Sequence, residues 1–215
     1  FNNTVTDTSA DQRTKSLGFT SGAGFSSAND FFHNFSYTLQ NVETEKLDSN
    51  DNKISTDGGK LLSSLGYRIS KDTRDNRFNP TSGYYYALSE QFAGLGGDIN
   101  YLSSILRGSY YYKYDYVDMV VGISGEYGNI EGLDENVSKS NRFFLGGRKV
   151  RGFDSSGIGP RVSESSSSSA VGGNNYYAGR VALRSGIGFP SETGIQWTVF
   201  TDFGTLWGVD DTADN

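Results

Sequence analysis

The segment FFLGGRKVRGFDSSGIGPR, residues 143–161, concentrates glycines and basic side chains in a stretch that suits neither a helix nor a strand interior. Within it, Arg151 carries a planar guanidinium, which is suited to bidentate pairing with a carboxylate. Gly146, Gly147 and Gly152 allow tight turns and a close approach of the backbone to a neighbouring surface. These residue types predict a loop that binds an acidic partner through an arginine, although composition alone favours a solvated arginine.

The sequence offers no set of side chains for catalysis or metal binding. It has no cysteine, and its single histidine, His33, falls on the apolar side of an alternating run. A Ser/His/Asp triad and a histidine metal site are therefore disfavoured, and we expect no enzyme, metal or cofactor. The acidic run at 48–53 lacks the spacing of a calcium loop and is interpreted as an exposed acidic loop. A net charge of −6 argues against a nucleic-acid partner.

Strands with strict apolar–polar alternation must position these groups. About eight such runs recur, each of about ten residues. Asp202 falls on the polar face of its run, whereas Glu90 interrupts the apolar face of another. The clearest runs lie at 31–40, 61–70, 117–126, 177–189 and 195–203, and weaker ones lie at 16–25, 84–92 and 99–112.

The lengths and connections of these runs predict an all-β fold, an antiparallel transmembrane β-barrel. At a tilt of about 45°, ten residues cross the hydrocarbon layer, and no apolar run approaches the ~20 residues of a membrane helix. Tyrosine clusters near strand ends are typical of an interfacial girdle. A soluble sandwich or a lipocalin is the alternative, but it gives no reason for long loops to share one end. Short links at 26–30, 113–116 and 191–194 alternate with long ones at 43–60 and 129–173. The second long link includes a serine-rich run at 165–169, which is predicted to be a mobile loop.

Three segments, in a fixed order, carry a family resemblance: DTRDNRFNPTSG at 72–83, GGRKVRGF with IGPR in the predicted loop, and FTDFGTLW at 200–207. Together they resemble the outer-membrane-protein insertase superfamily, which includes assembly insertases, two-partner secretion transporters and organellar import pores. Their spacing resembles the BamA-type barrel most. Arg74 and Asp75 could instead simply cap the turn in which they lie. The matching residues are Gly146, Gly147, Val150, Arg151, Gly152, Phe153, Gly159 and Pro160 in the loop, and Asp72, Arg74, Asp75, Pro80 and Gly83 in a periplasmic turn.

The resemblance implies that residues 1–215 form about eight central strands of a sixteen-stranded barrel, without the POTRA domains and without the first and last strands. It also implies that the loop at 129–173, loop six of the family, folds back into the barrel lumen. There we expect Arg151 to pair with Asp202, a contact worth about 1.5–3 kcal/mol. The family offers a glutamate on the strand after the loop, but Arg184 occupies the nearest matching position.

The function that this resemblance implies is the folding and insertion of other β-barrel proteins into the bacterial outer membrane. The implied partners are outer-membrane lipid, unfolded β-barrel clients and accessory assembly lipoproteins. A secretion pore of the same superfamily, TamA-like or of the two-partner type, is the first alternative. A passive porin is the second, because it shares the alternation but not the loop and turn segments.

Overall fold

The computed structural model of the protein describes residues 2–9, 12–47, 53–164, 167–186 and 195–210. Nine of the described strands form one antiparallel sheet in which neighbours along the chain pair with each other. The order is interrupted once, by a long loop at residues 133–174 that carries its own two-stranded hairpin, β8–β9. The strands are β1 (Asn2–Ser9), β2 (Gln12–Ser26), β3 (Phe31–Leu47), β4 (Lys53–Asp72), β5 (Gly83–Ala93), β6 (Tyr101–Tyr114), β7 (Met119–Gly132), β8 (Arg161–Glu164), β9 (Ser167–Ala170), β10 (Asn175–Gly186) and β11 (Gln196–Trp207).

Alternation divides the sheet into a polar face and an apolar face. The register pairs Arg107 with Glu126 and Arg180 with Asp202, which places these four side chains on what we call the inner face. The long loop packs on this inner face. The opposite, outer face carries exposed apolar side chains from end to end, among them Leu17, Phe19, Phe35, Leu65, Leu88, Phe92, Leu106, Tyr110, Ile123, Val199 and Phe203. The predicted antiparallel all-β architecture is therefore confirmed, and its one-sided apolar belt is typical of a barrel wall in lipid.

The β3–β4 hairpin is longer than the sequence predicts. A loop is expected at 43–60, but β3 continues to Leu47, β4 begins at Lys53, and their pairing persists beyond a bulge that follows Val42. Polar residues succeed one another here, so backbone hydrogen bonds maintain the hairpin without any apolar alternation that a sequence pattern could reveal. Of the predicted acidic loop, residues 48–52 lie outside the described residues.

Other boundaries also differ from the predictions. β1 is absent from the sequence-based strand set. Of the serine-rich run at 165–169, residues 165–166 lie outside the described residues, and the remainder belongs to β9, which pairs with β8. Residues 129–132 of the predicted loop belong to β7, and a 3-10 turn at Asp115–Val117 delays the start of β7 to Met119. The predicted link at 191–194 lies outside the described residues.

The buried side chains form two clusters on the inner face, both beneath the long loop. The first joins loop residue Val137 to five strands of the wall, β3 to β7, and Phe143 packs against both clusters. Its buried members are Val42, Leu62, Ala93, Tyr101, Ile130 and Val137. The loop thus supplies the apolar contacts that a single sheet cannot provide for its own inner face. Among the described residues, no helix has the length and apolarity needed to cross a membrane.

Candidate functional site

The tip of the long loop packs on the wall through the second buried cluster. Leu145 and Val150 are 0% and 3% exposed, and they contact Tyr176 and Ala178 of β10 and Leu206 of β11. Burial of two aliphatic side chains of this size contributes several kcal/mol to docking, at about 1.5–3 kcal/mol each. The hydrophobic effect therefore brings the loop tip to the wall, and polar contacts fix its position.

Backbone hydrogen bonds close the loop upon itself before it meets the wall. Phe143 and Gly173 exchange two N–H···O bonds of 2.9 and 3.0 Å. Further along, the N–H of Ile158 donates to the carbonyl of Leu145 at 3.0 Å. The two ends of the loop are therefore paired with each other. This pairing satisfies backbone N–H and C=O groups of the loop that have no partner in the sheet.

Glycine is required at the turn that leads into the basic segment. Gly146 has a φ of +140°, and a Cβ at this position would lie 1.9 Å from the carbonyl oxygen of Asp154. Gly147 has a φ of +57°, and its N–H is shared between the carbonyls of Phe153 and Asp154 at 3.0 and 3.1 Å. The positive φ angles of Gly146 and Gly147 reverse the chain direction within a few residues. Residues 148–151 therefore face the wall.

Asp202 on β11 is the centre of the first polar anchor. Arg151 donates to it from Nε at 2.7 Å and from Nη2 at 2.9 Å, a bidentate arrangement, and its backbone N–H donates at 3.1 Å. Arg180 on β10 donates to the same carboxylate from Nε at 2.6 Å and from Nη2 at 3.2 Å. The guanidinium of Arg151 also stacks on Phe200, with Cζ 3.1 Å from the ring centroid. The two residues that the sequence pairs, Arg151 and Asp202, are thus in direct contact, with a second arginine that the sequence analysis missed.

Glu126 on β7 is the centre of a second polar anchor, which the sequence analysis did not identify. The ammonium of Lys149 donates to its Oε1 at 2.6 Å, and the Tyr176 hydroxyl and the Nε of Arg107 donate to the same carboxylate. Lys149 Nζ also lies 3.1 Å from the Tyr176 hydroxyl and 4.2 Å from the ring centroid. The signal for this anchor is the position of Glu126 on the polar face of its strand, but parity does not reveal its partner.

The two anchors together hold two carboxylates against four cationic side chains. The side chain of Asp202 is 3% exposed and that of Glu126 is 17% exposed, so both are largely removed from water. Arg151 and Arg180 are 39% and 35% exposed, which places the cations nearer to the solvated lumen. Loss of either carboxylate would therefore leave two cations facing each other without a counter-ion.

Arg184 does not take part in either anchor. It lies on the same face of β10 as Arg180 but four residues further along the strand, opposite Thr198 rather than Asp202. Its guanidinium donates from Nη2 to the carbonyl of Pro80, which belongs to the turn between β4 and β5. The glutamate expected on the strand after the loop is absent, and the second carboxylate comes from the strand before the loop, Glu126.

The other residues of the predicted loop motif have distinct surroundings. Phe153 is 53% exposed, and Gly152 has a φ of +91° with open space where a Cβ would lie. Gly159 has a φ of +120° and lies so close to Leu206 that a Cβ would come within 2.5 Å of its Cδ2. The carbonyl of Pro160 accepts a hydrogen bond from the loop at 3.2 Å. These residues shape the loop, whereas Val150 and Arg151 bind it to the wall.

The turn at residues 73–82 is held by two carboxylates of its own. Asp72 accepts both Nε and Nη2 of Arg74 at 2.8 Å. Asp75 accepts the Thr81 hydroxyl at 2.6 Å, together with the N–H groups of Thr81 and Ser82. These donors hold the pKa of the Asp75 carboxyl well below its usual range.

The same turn closes where β5 begins. Gly83 has a φ of +94°, and a Cβ there would lie 2.4 Å from the carbonyl oxygen of Thr73. Pro80, by accepting the bond from Arg184, connects the turn to β10 across the inner face. The turn is therefore a structured element rather than a solvated link.

The two anchors bind the loop tip to the wall. Across the described part of the chain, no group of three His, Cys, Asp or Glu side chains could hold a metal ion. The anchored carboxylates are saturated by cations and hydroxyls, so neither is available as a base. What the arrangement can do is brace a wall of four strands, β6, β7, β10 and β11, through one inserted loop.

A strand wall with an apolar outer face and a long loop anchored on its inner face defines a β-barrel membrane protein. The chain belongs to the Omp85 superfamily, since a family model described as the Omp85 superfamily domain matches residues 1–215. It is 32% identical over 181 residues to the outer membrane protein assembly factor BamA of Neorickettsia risticii. That alignment covers 84% of this chain and 24% of the relative.

Two further similarities agree with this assignment. A SAM50-like protein of Schizosaccharomyces pombe is 33% identical over 132 residues, covering 59% of this chain and 27% of the relative. The crystal structure of BamA from Haemophilus ducreyi lacking POTRA domains 1–3 superimposes with a TM-score of 0.80 at 16% identity, covering 96% of this chain and 45% of that one. The predicted resemblance to a BamA-type barrel is confirmed, and the chain spans about a quarter of the length of these curated relatives.

Proposed function

We propose that this chain is part of the barrel of an outer-membrane assembly factor, which folds and inserts other β-barrel proteins. The observation that carries the proposal is the family match along all 215 residues, together with bacterial relatives that are named BamA assembly factors. The compartment that we propose is the bacterial outer membrane. The proposed activity involves no covalent step, so the protein is not an enzyme and needs no cofactor.

The long loop has a specific part in this proposal, as an internal brace. Insertion by strand pairing requires a barrel that exposes an unpaired strand edge to an incoming client strand. A wall that opens at one place must keep its register elsewhere. The Asp202 and Glu126 anchors meet this need, since Arg151 and Lys149 of one loop contact side chains of β7, β10 and β11 together.

The partners follow from the proposed activity. Unfolded β-barrel proteins are the clients, and outer-membrane lipid surrounds the apolar outer face. Accessory assembly lipoproteins are part of the proposal, on the strength of the family resemblance alone. The loop and turn segments favour this function over a passive porin, which shares the strand alternation but not these segments.

The test uses the full-length protein that contains this segment, reconstituted in liposomes. A urea-unfolded β-barrel client is added, and its folding is followed by the mobility shift of the folded band on a gel. The proposal predicts faster client folding than in empty liposomes and little steady ion conductance across planar bilayers. An unchanged folding rate together with a large conductance would identify a porin instead.

A secretion pore of the same superfamily is the second candidate, because the Omp85 match by itself covers that class as well. The same liposomes distinguish the two. A secretion pore would translocate an unfolded substrate into the liposome interior, where added protease cannot reach it. An assembly factor would leave its client folded in the membrane.

A further inference from the structure

A carboxylate lies on the outer face of the barrel wall, where the surrounding side chains are apolar. Glu90 on β5 is opposite Tyr67 on β4 and Ser104 on β6, and its neighbours on the same face of β5 are Leu88 and Phe92. Leu88 and Phe92 are 37% and 40% exposed, as expected of side chains that face lipid. Ionisable residues in this position are costly, and they generally mark a functional site.

The Glu90 carboxylate is only partly satisfied by the protein. Ser104 Oγ donates to its Oε2 at 2.5 Å. Within the described residues this is its one hydrogen bond, and it forms no ion pair there. The second carboxylate oxygen, Oε1, is therefore open to a donor from outside the protein.

A groove of about 530 Å³ runs along the outer face beside Glu90. The groove is deepest over β2, which we call its floor, because Ser21 and Ala23 there are much smaller than Tyr37 and Phe35, their partners on β3. Leucines and aromatic side chains form most of the remaining lining, together with Gly22, Ser36 and Gly66. As far as the chain is described, no lysine, arginine or histidine takes part. The volume lies within the range of sites that hold small ligands.

The position of the groove selects the kind of ligand. Glu90 is three residues from Ala93, the last residue of β5, so its carboxylate lies within roughly 10 Å of the strand end that the long loop shares. A molecule that reaches this depth from the membrane surface has a polar head near Glu90 and an apolar body in the hydrocarbon layer. Because the unsatisfied protein group is an acid, the matching head is a cation with N–H donors.

We infer that the groove binds a single lipid with an ammonium headgroup, such as an aminophospholipid. Its ammonium donates to Glu90 Oε1, and one acyl chain lies over Ala23 on the floor of the groove. The interaction is independent of the proposed assembly activity, since it needs only the barrel wall in a membrane. Glu90, held by Ser104, selects the ammonium headgroup of the lipid. The groove fixes where the acyl chain lies on the wall.

The test is native mass spectrometry of the full-length protein, released from micelles that contain phosphatidylethanolamine and phosphatidylcholine in equal amounts and with identical acyl chains. The first lipid carries N–H donors on its ammonium and the second carries none. We expect the folded protein to retain about tenfold more phosphatidylethanolamine, the usual effect of one charge-assisted hydrogen bond. A third arm with phosphatidylglycerol tests whether an anionic head serves equally well, which would overturn the inference.

Three variants separate the site from a general effect of lipid. Glu90→Gln keeps the shape and a partner for Ser104, and it should bring the two lipids to equal retention. Ala23→Leu fills the floor and should lower the retention of both lipids without removing the carboxylate. Glu131→Gln, an exposed acid near the end of β7, is the matched control and should behave as the parent protein.

Two results would overturn the inference. If Glu90→Gln retains the parent preference, Glu90 serves only to accept the bond from Ser104. If a protein co-purifies on this face in stoichiometric amount and no lipid is retained, the occupant is a partner chain. Each variant is first checked for the folded band on a gel, and if Glu90→Gln does not fold, the Ala23→Leu and phosphatidylglycerol arms decide.

Discussion

Replacement of Asp202 by Asn tests whether one carboxylate holds the loop tip. Asn keeps the shape of the side chain but removes its charge and one of the two acceptor oxygens that Arg151 and Arg180 now share. The parent carboxylate accepts five hydrogen bonds of 2.6–3.2 Å. A hydrogen bond to a charged group is worth about 1.5–3 kcal/mol, and solvent-exposed ion pairs are worth only about 0–1 kcal/mol.

The two arginines lie between these limits because each is more than a third exposed while the acid is buried. A contribution of about 1–1.5 kcal/mol from each gives an expected loss of about 2–3 kcal/mol on Asp202→Asn. For 150–250 residues that unfold together, such a loss lowers the unfolding temperature by roughly 4–12 °C, and a barrel of about twice this length shows about half that shift. The assay is the temperature at which half of the full-length protein loses its folded band on a semi-native gel.

The matched control is Arg148→Ala, in the same loop and exposed. Its backbone carbonyl accepts a bond from Arg180, and that carbonyl is kept in the variant. We expect the Arg148→Ala temperature to stay within about 1 °C of the parent, since surface substitutions away from such contacts are usually neutral. If Asp202→Asn is as stable as Arg148→Ala, the anchor does not hold the loop.

Arg180 also changes the design of a rescue experiment. The sequence alone suggests reversing the pair, with Arg151→Glu and Asp202→Lys in one protein. In the structure, a lysine at 202 would face Arg180, so reversal of the pair leaves a like-charge contact and should restore little. A cycle of Arg151→Ala, Arg180→Ala and their combination measures the shared carboxylate instead, and non-additive losses are expected because both act on one group.

Three further predictions concern the other contacts. Lys149→Met should remove the ion pair of the second anchor and cost about 1 kcal/mol, seen as a smaller fall in the same unfolding temperature, and no fall would contradict the role of that anchor. Gly146→Ala should lower the free energy of unfolding by at least about 1–3 kcal/mol, because its Cβ would lie 1.9 Å from a backbone oxygen. Gly108→Ala, where the nearest atom would lie at 4.0 Å, should lower it far less. Equal losses in the two variants would refute the packing argument. Asp75 has a lowered pKa in the folded turn, so its contribution is present above its unfolded value of about 3.9 and is lost as the pH falls through the folded value; the amide of Thr81 should then lose protection from hydrogen exchange at low pH, and Asp75→Asn should abolish that dependence.

The sequence predicted the parts of the fold that alternation encodes. The runs at 31–40 and 61–70 lie within β3 and β4, and the faces of their side chains follow from a period of two. The predicted loop at 43–60 was wrong, because the hairpin continues there. Its polar residues pair through the backbone and give no periodic signal. The sequence pattern also missed β9 for the same reason, since this strand is specified by its pairing with β8.

For the candidate site, parity placed Asp202 and Glu126 on the polar face but could not choose their partners. Which cation meets which acid depends on the register between β10 and its neighbours, and a shift of two residues would preserve every face. Arg180 meets Asp202 and Arg184 does not, solely because of this register. The path of the loop tip, set by Gly146 and the buried Val150, is likewise a tertiary property.

Labelling of single cysteines reports whether the loop tip lies against the inner face of the barrel in the folded protein. The chain contains no cysteine, so Val150→Cys and Phe153→Cys can be made in a cysteine-free version of the full-length protein. The parent residues are 3% and 53% exposed, three positions apart in one loop. We predict that a water-soluble maleimide labels the folded Val150→Cys protein at least about tenfold more slowly than Phe153→Cys, and that adding Asp202→Asn narrows the gap. Equal labelling rates in the folded protein would contradict the account.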